Sequence, residues 1–295
     1  MTDHSAEPFD DAFLAQVRRL RVRLAGSGRA GGDRAGRGSR AGGFLEFESH
    51  RGYVPGDDPR IVDWKASGRS GQWRVKEFRR EDERSLVIVI DTSASMTLGD
   101  PAKSWASLRI AAALGLVALA SGFGVRRATA FEGRADPSGR LRGVGASADW
   151  LRSLGGVAFG GRAELGRALE VSIRGLAPCT VVIVSDFLER EDPVASLGAL
   201  RAAGHRPIAL QVASPQEARP DLAEALWIVD VEDRRERMLR FGEREREAYL
   251  RAITGRSERL ERFAARHGCG YRRLVTDRPV VPFLLDAFGR TEGLR

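Results

Sequence analysis

The stretch SLVIVIDTSASM, residues 85–96, decides how this chain folds. Residues 86–90 form a short, uncharged run rich in β-branched side chains, which is typical of a strand buried on both faces of a sheet. Asp91 follows the run directly, and Ser93 and Ser95 follow at alternate positions. Ligands of open parallel α/β sheets bind outside the carboxyl ends of the strands. The stretch therefore predicts a buried strand that ends in a polar binding site.

The oxygen atoms of Asp91, Ser93 and Ser95 are hard ligands, which suit Mg²⁺ or Mn²⁺ better than zinc. Their spacing, Asp-x-Ser-x-Ser at a strand end, resembles the metal-ion-dependent adhesion site of von Willebrand factor A (vWA) domains. A later apolar run, residues 181–185, ends in Asp186. Two neighbouring carboxylates repel unless a cation lies between them, which favours a metal site. The alternative is structural, because Asp and Ser are also common in turns and at the starts of helices.

A second loop departs from the vWA pattern. vWA domains usually place a threonine ligand there, often after two glycines, whereas Gly160 and Gly161 are followed here by Arg162. A guanidinium at that position could pair with Asp91 or Asp186 and replace the cation outright. The sequence thus leaves two alternatives, a bound Mg²⁺ or Mn²⁺ ion or a site filled by Arg162.

The stretch upstream, residues 46–84, closely resembles the signature of the DUF58 family of vWA-containing bacterial proteins. The matching pieces are residues 53–60 (YVPGDDPR), 61–64 (IVDW), Arg69, 74–77 (RVKE) and the acidic cluster 81–83. The resemblance implies a vWA-like α/β fold used for protein interaction. Members are typically encoded beside MoxR-type AAA+ ATPases, so it also implies such an ATPase as partner, with this chain as adaptor or co-chaperone. In proteins of this type, a partner's carboxylate completes the coordination of the metal.

Six polar or aromatic residues of this signature are candidates for a partner-binding surface: Asp57, Asp58, Arg60, Asp63, Trp64 and Arg69. A structural role is the alternative, in which Asp–Arg pairs fix the loop and Trp64 packs against the sheet. The residue types alone do not separate the two roles.

Strands and helices alternate from residue 86 onward, which predicts an α/β fold with a doubly wound, mainly parallel sheet flanked by helices. We expect three parts: an N-terminal helix and a mobile Arg/Gly-rich loop (1–43), a small β-rich appendage (44–84) and a vWA-like α/β domain (85–295). The predicted strands are residues 86–90, 125–131, 180–185, 207–212, 225–229 and 271–275. The predicted helices lie near residues 104–121, 146–154, 163–174, 193–203, 243–267 and 281–288.

The basic residues are concentrated near the N-terminus. The formal net charge is +8, and residues 16–42 hold eight arginines against one acid. A nucleic-acid-binding role for this segment is the alternative function. No aromatic side chains interleave with these arginines, so a stacking platform for bases is missing. Nucleic acid is therefore the less favoured partner, and a solvated loop or an acidic protein partner is expected.

Enzyme signatures are missing from the sequence. A haloacid-dehalogenase-type enzyme needs a second aspartate where Ser93 stands, and no histidine has the context of a subtilisin-like triad. No P-loop, H-E-x-x-H or paired C-x-x-C occurs. The N-terminus lacks a signal-peptide pattern, and the longest uncharged stretch, residues 110–125, is too short for a confident membrane span. We therefore expect a cytoplasmic, non-enzymatic protein-interaction module.

Overall fold

The structure is a computed structural model that describes residues 8–27, 45–54, 62–80, 85–131, 134–137, 139–162, 164–188, 192–219, 225–229, 236–240 and 242–289. The chain forms two compact units, one of Met1–Gly31 with Ser85–Arg295 and one of Gly32–Arg84. The helices are α1 (Asp11–Ser27), α2 (Trp64–Ser70), α3 (Lys103–Ala120), α4 (Ser147–Gly155), α5 (Leu165–Ile173), α6 (Pro193–Ala202), α7 (Pro215–Ala218), α8 (Glu243–His267) and α9 (Val280–Gly289). The strands are β1 (Leu45–Gly52), β2 (Arg74–Arg80), β3 (Ser85–Asp91), β4 (Gly124–Phe131), β5 (Arg134–Pro137), β6 (Leu141–Arg142), β7 (Thr180–Ser185), β8 (Arg206–Ala213), β9 (Ala225–Val229), β10 (Glu236–Arg240) and β11 (Gly270–Val275).

A seven-stranded sheet forms the centre of the larger unit, in the order β11-β8-β7-β3-β4-β5, with β6 also paired to β4. Strands β11, β8, β7, β3 and β4 run parallel, whereas β5 and β6 run antiparallel to β4. The chain builds outward from β3 toward β4 and β5, and then returns to the other side of β3 with β7. This is the doubly wound order, and its switch point lies between β3 and β7. The predicted α/β fold class is confirmed.

Strand β3 is buried on both faces, as its apolar run predicts. Leu86, Ile88 and Ile90 pack into the cluster that contains α3, whereas Val87 and Val89 pack into the cluster on the opposite face. Alternate side chains of a strand point to opposite faces, so a continuous apolar run is what a central strand between two helical layers requires.

Helix α3 covers one face of the sheet. Among the described residues it is the one helix long and apolar enough to cross a membrane by composition, with a mean hydropathy of 1.3, and 67% of it is buried inside the protein. Gly115 lets Trp150 of α4 pack directly on α3, because a Cβ at Gly115 would lie 2.1 Å from Trp150 Cε2. The indole N–H of Trp150 donates to the Ala111 carbonyl at 3.3 Å. These contacts make α3 the central helix of the core.

Helix α1 belongs to the larger unit, although the sequence analysis placed it in a separate segment, residues 1–43. Phe13, Val17 and Leu20 are buried in the same cluster as α3 and α9, because they recur at helical spacing on one side of α1. Of the predicted mobile loop, residues 26–43, the first two residues end α1, and residues 28–43 lie outside the described residues.

Strand β9 corrects one prediction. It exists as expected, but it pairs antiparallel with β10 in a separate two-stranded sheet rather than joining the parallel sheet. An antiparallel pair needs only a short connection, whereas a parallel neighbour needs a crossover of about a dozen residues or more. The charged connection after residue 229 supplies the second strand, which the sequence analysis did not identify.

The smaller unit contains the predicted β-rich appendage. Strands β1 and β2 form an antiparallel pair with an irregularity between Phe47 and Ser49. Asp63 caps the start of helix α2, where its carboxylate accepts the Lys65 and Ala66 N–H groups, and Gly71 caps the end in the left-handed conformation. Both ends are therefore satisfied by local capping.

Candidate functional site

The switch point brings together the two aspartates that follow β3 and β7. The two strands are adjacent and parallel, with Ile90 opposite Val184, so Asp91 and Asp186 lie at the same edge of the sheet. Asp91 is 0% exposed and Asp186 is 2% exposed. Two carboxylates are thus removed from water side by side, and each needs hydrogen bonds or a cation to stay there.

Hydrogen bonds link these carboxylates to neighbouring hydroxyls. Asp91 Oδ1 accepts the Ser93 N–H at 2.9 Å, and Asp91 Oδ2 accepts the Ser185 hydroxyl at 2.6 Å. The Ser93 and Ser95 hydroxyls lie 2.9 Å apart, and the Ser95 hydroxyl donates to Asp186 Oδ2 at 2.9 Å. Asp91, Ser93, Ser95 and Asp186 therefore form one connected polar network.

A cation is already present in this network, and it is a lysine. Lys103, the first residue of α3, lies with its Nζ 2.7 Å from Asp186 Oδ2, and its side chain is 0% exposed. The same ammonium donates to Glu217 Oε1 on α7. Glu217 is held in turn by a capping box, in which its Oε2 accepts the Ser214 N–H at 2.8 Å and the Ser214 hydroxyl accepts the Glu217 N–H at 3.1 Å.

Burial and neighbouring charges shift the pKa values of Asp91 and Lys103. Burial, and next the charge of Asp186, raise the pKa of Asp91 to about 6. Burial alone would lower the pKa of Lys103, but the charges of Asp186 and Glu217 outweigh it, so the pKa is raised. The lysine is thus held in its charged form, while Asp91 takes up a proton more readily than an ordinary aspartate does.

The glycine loop lies against the first loop. The Gly160 N–H donates to the Thr92 carbonyl at 2.8 Å, and the Ala94 N–H donates to the Gly161 carbonyl at 2.9 Å. Arg162 directly follows these contacts and is exposed. The structure therefore places Arg162 beside the aspartate–serine loop with a solvent-exposed side chain, whereas the ammonium on Asp186 comes from Lys103.

A further layer of buried polar groups fixes the end of β7. Gln211 donates to the Asp186 carbonyl at 3.1 Å, and its own amide oxygen accepts the hydroxyls of Ser257 (2.9 Å) and Tyr271 (2.6 Å). Phe187 is buried and has a φ of 55°, a left-handed conformation that is rare for a bulky residue. The backbone that carries Asp186 is thus held from both sides.

The donor set does not fit a divalent ion as it stands. Mg²⁺ needs oxygen ligands in octahedral geometry, and the natural candidate, Asp186 Oδ2, already accepts from Lys103 and Ser95. A dication at that position would also lie within a few ångströms of a buried ammonium. In addition, no group of three or more His, Cys, Asp or Glu in the described ranges is placed to hold a metal ion.

The candidate surface of the appendage is only partly described. Asp57, Asp58 and Arg60 lie outside the described residues. Asp63 caps α2, as noted above, and exposed Arg69 donates to the Lys65 carbonyl at 3.3 Å. Trp64 does not pack into a core: it is 64% exposed and meets Trp73, itself 59% exposed, edge-on at 5.6 Å between ring centroids. Tyr53 adds a third ring, 5.8 Å from Trp73.

Sequence reasoning missed Lys103, Ser185 and Glu217. One signal for Lys103 was available, since only three of the 48 basic residues are lysines, and this one opens an apolar helix. For Glu217 the signal is the capping-box pattern Ser214-x-x-Glu217 directly after β8. Ser185 precedes a predicted ligand, and nothing in the sequence distinguishes it from other strand residues.

Two curated relatives share part of this chain. The uncharacterized protein Rv1480 of Mycobacterium tuberculosis and the uncharacterized protein Mb1516 of Mycobacterium bovis are each 30% identical in an alignment of 194 residues that covers 59% of this chain. The alignment spans 57% of the length of each relative.

Several solved structures are also similar. The conserved hypothetical protein BatB from Bacteroides thetaiotaomicron has a TM-score of 0.41 and 14% identity, covering 70% of this chain and 100% of BatB. The SpRpn10 VWA domain has a TM-score of 0.41 and 9% identity, covering 71% and 95%. Proximal thread matrix protein 1 from the mussel byssus, with a zinc-occupied MIDAS motif, has a TM-score of 0.37 and 17% identity, covering 44% and 36%.

The family is set by a different comparison. A family model described as "Protein of unknown function DUF58" matches residues 49–259. This match takes in part of the appendage together with strands β3 to β10. Because it spans more than half of the sequence, the chain belongs to the DUF58 family.

Proposed function

We propose that this chain is a non-enzymatic protein-interaction module, an adaptor or co-chaperone of a MoxR-type AAA+ ATPase. The observation that carries the proposal is the closed state of the polar network: Asp91, Ser93, Lys103 and Asp186 are all at most 2% exposed. Buried groups that saturate one another cannot reach a substrate, but they hold surface loops in a fixed shape. The DUF58 resemblance supports the choice of ATPase.

The contact between His205 and Cys179 supports the absence of enzyme activity. His205 Nδ1 accepts the Cys179 N–H at 3.2 Å, so this nitrogen is not available as a base in that arrangement. Burial raises the pKa of the Cys179 thiol to about 11, which disfavours the thiolate.

Cys179 and Cys269 are both free thiols, which supports a reducing, cytoplasmic location.

Recognition of an acidic group by charge is the second part of the proposal. Arg162 is exposed on a loop whose backbone is bonded to Thr92 and Ala94, so the network fixes the loop that presents it. A guanidinium binds a carboxylate through two parallel hydrogen bonds, which gives both charge and geometry. We propose that Arg162 takes the role that a metal ion plays in other vWA domains, namely contact with a carboxylate of the partner.

Replacing Arg162 by alanine is expected to weaken binding to a purified MoxR-type ATPase by about 10-fold or more, as loss of an interfacial charge pair does. Biolayer interferometry measures the affinity, and thermal melting separates a loss of binding from a loss of stability. Arg266→Ala is the matched control, since Arg266 is an exposed arginine in the last turn of the 25-residue helix α8. Wild-type affinity of Arg162→Ala would refute the charge contact, and an ATPase that does not bind the wild-type chain would refute the partner.

Replacing Trp64 by alanine is expected to weaken the same interaction by about 10-fold, because exposed tryptophans are frequent hot spots of protein interfaces. At 64% exposure, the ring contributes little to folding, so the melting temperature should stay within about 2 °C. Val144→Ala, which also trims an exposed apolar side chain (56%), is the control. A large fall in melting temperature with unchanged affinity would assign Trp64 a structural role instead.

A further inference from the structure

We infer that Lys103 is a built-in cation: its ammonium neutralises Asp186, one of the predicted metal ligands, and makes the site independent of metal. The inference concerns the same sheet edge as the proposed function, but its test needs no partner, so the two can fail separately. It rests on one contact set, in which the ammonium lies 2.7 Å from Asp186 Oδ2 and also donates to Glu217.

The choice of residue type at this position supports the inference. Lysines make up only three of the 48 basic residues in the sequence, yet the basic residue buried in this network is a lysine. An ammonium is a compact point charge that fits between two carboxylates, whereas a planar guanidinium would need more room. The space between the two carboxylates suits a small cation. The chain has a lysine there, although most of its basic residues are arginines.

The place of Lys103 in its helix points the same way. It is the first residue of α3, where the partial positive charge of the helix N-terminus disfavours a cation. Its side chain is 0% exposed, so water does not screen it. A buried lysine at the positive end of a helix is stable only if strong local anions hold it, and Asp186 and Glu217 are those anions.

The geometry also shows what the lysine excludes. Asp186 Oδ2 accepts both from Lys103 and from the Ser95 hydroxyl, and that hydroxyl lies 2.9 Å from the Ser93 hydroxyl. A divalent ion would have to displace the ammonium and break this chain of hydrogen bonds. Without the ammonium, the Asp186 carboxylate remains with Glu217 and the Ser93 and Ser95 hydroxyls, and hard oxygens of this kind suit Mg²⁺ or Mn²⁺.

The test is a calorimetric titration of MgCl₂ and of MnCl₂ into the 295-residue wild-type chain and into Lys103→Ala. A neighbouring charge changes the proton affinity of a carboxylate by roughly 10- to 1000-fold, so we expect Mn²⁺ affinity to rise by about 100-fold in Lys103→Ala. Lys65→Ala is the matched control, because Lys65 is an exposed lysine on α2. Lys103→Arg keeps the positive charge and should not gain metal binding.

Thermal melting in the same salts keeps the test decisive if Lys103→Ala is unstable. Mn²⁺ or Mg²⁺ should raise the melting temperature of Lys103→Ala and leave the wild type and Lys65→Ala unchanged. If Lys103→Ala does not fold even with metal, Lys103→Met, which keeps the apolar stem, is measured in the same way. Saturable metal binding by the wild type that Asp186→Asn abolishes would overturn the inference, and so would a folded Lys103→Ala or Lys103→Met that gains none.

Discussion

Asp186→Asn is expected to lower the free energy of unfolding by about 3 kcal/mol, the lower end of the range for breaking a buried ion pair. The asparagine keeps the shape of the side chain but removes the charge that faces Lys103, and its amide group places a donor against the existing donors. These donors are the Lys103 ammonium and the Ser95 hydroxyl on Oδ2, and the Leu188 N–H on Oδ1. Glu217 still pairs with the lysine, which is why the cost does not reach the upper end.

Urea denaturation at pH 7.5 measures this loss, and a second variant tests its cause. In Asp186→Asn combined with Lys103→Met, neither buried charge of the pair remains. The double variant should therefore be more stable than the sum of the single changes predicts, by at least about 1 kcal/mol. Asp149→Asn is the control, because Asp149 is 56% exposed and forms a surface ion pair with Arg152, so its loss should cost less than about 1 kcal/mol. Additive single changes would show that Asp186 and Lys103 do not interact.

The parts of the fold that sequence predicts well are those fixed by local pattern. Residues 86–90 carry no charged side chain, so the run suits a strand that is buried on both faces. Strand β3 accordingly lies between β4 and β7. The same logic placed Asp91 and Asp186 at strand ends. Strand β9 shows the limit of this logic, since a strand pattern says nothing about which strand it pairs with.

The contacts of Lys103 show a second limit of prediction from sequence. The Lys103–Asp186 contact joins residues 83 positions apart, and the Lys103–Glu217 contact joins residues 114 positions apart. Read locally, Lys103 is an ordinary polar residue at the start of a helix, and Glu217 is an ordinary helix cap. Their common role arises only when the doubly wound topology brings α3, β7 and the end of β8 to one edge. Arg162 drew attention because it departs from a motif, whereas Lys103 matches no motif.

Protonation of Asp91 should make the protein more stable as the pH falls from about 7 to about 4, by on the order of 2 kcal/mol. The ordinary pKa of an aspartate is 3.8, and burial together with Asp186 raises that of Asp91 to about 6. In this pH range the folded protein takes up a proton that the unfolded chain does not bind. The contribution is therefore complete below the unfolded pKa and is lost as the pH rises through the folded one.

The experiment compares the pH dependence of urea unfolding for the wild type and Asp91→Asn. The comparison with Asp91→Asn is needed because burial also lowers the pKa of His205. That shift destabilises the folded protein as the pH falls through the same range. Asp91→Asn removes only the Asp91 titration, so the wild type should gain about 2 kcal/mol relative to the variant between pH 8 and pH 4.5. If the difference in stability between the wild type and Asp91→Asn does not change with pH, Asp91 stays ionised beside Asp186. Lys103, which contacts Asp186, would then have to stabilise both carboxylates.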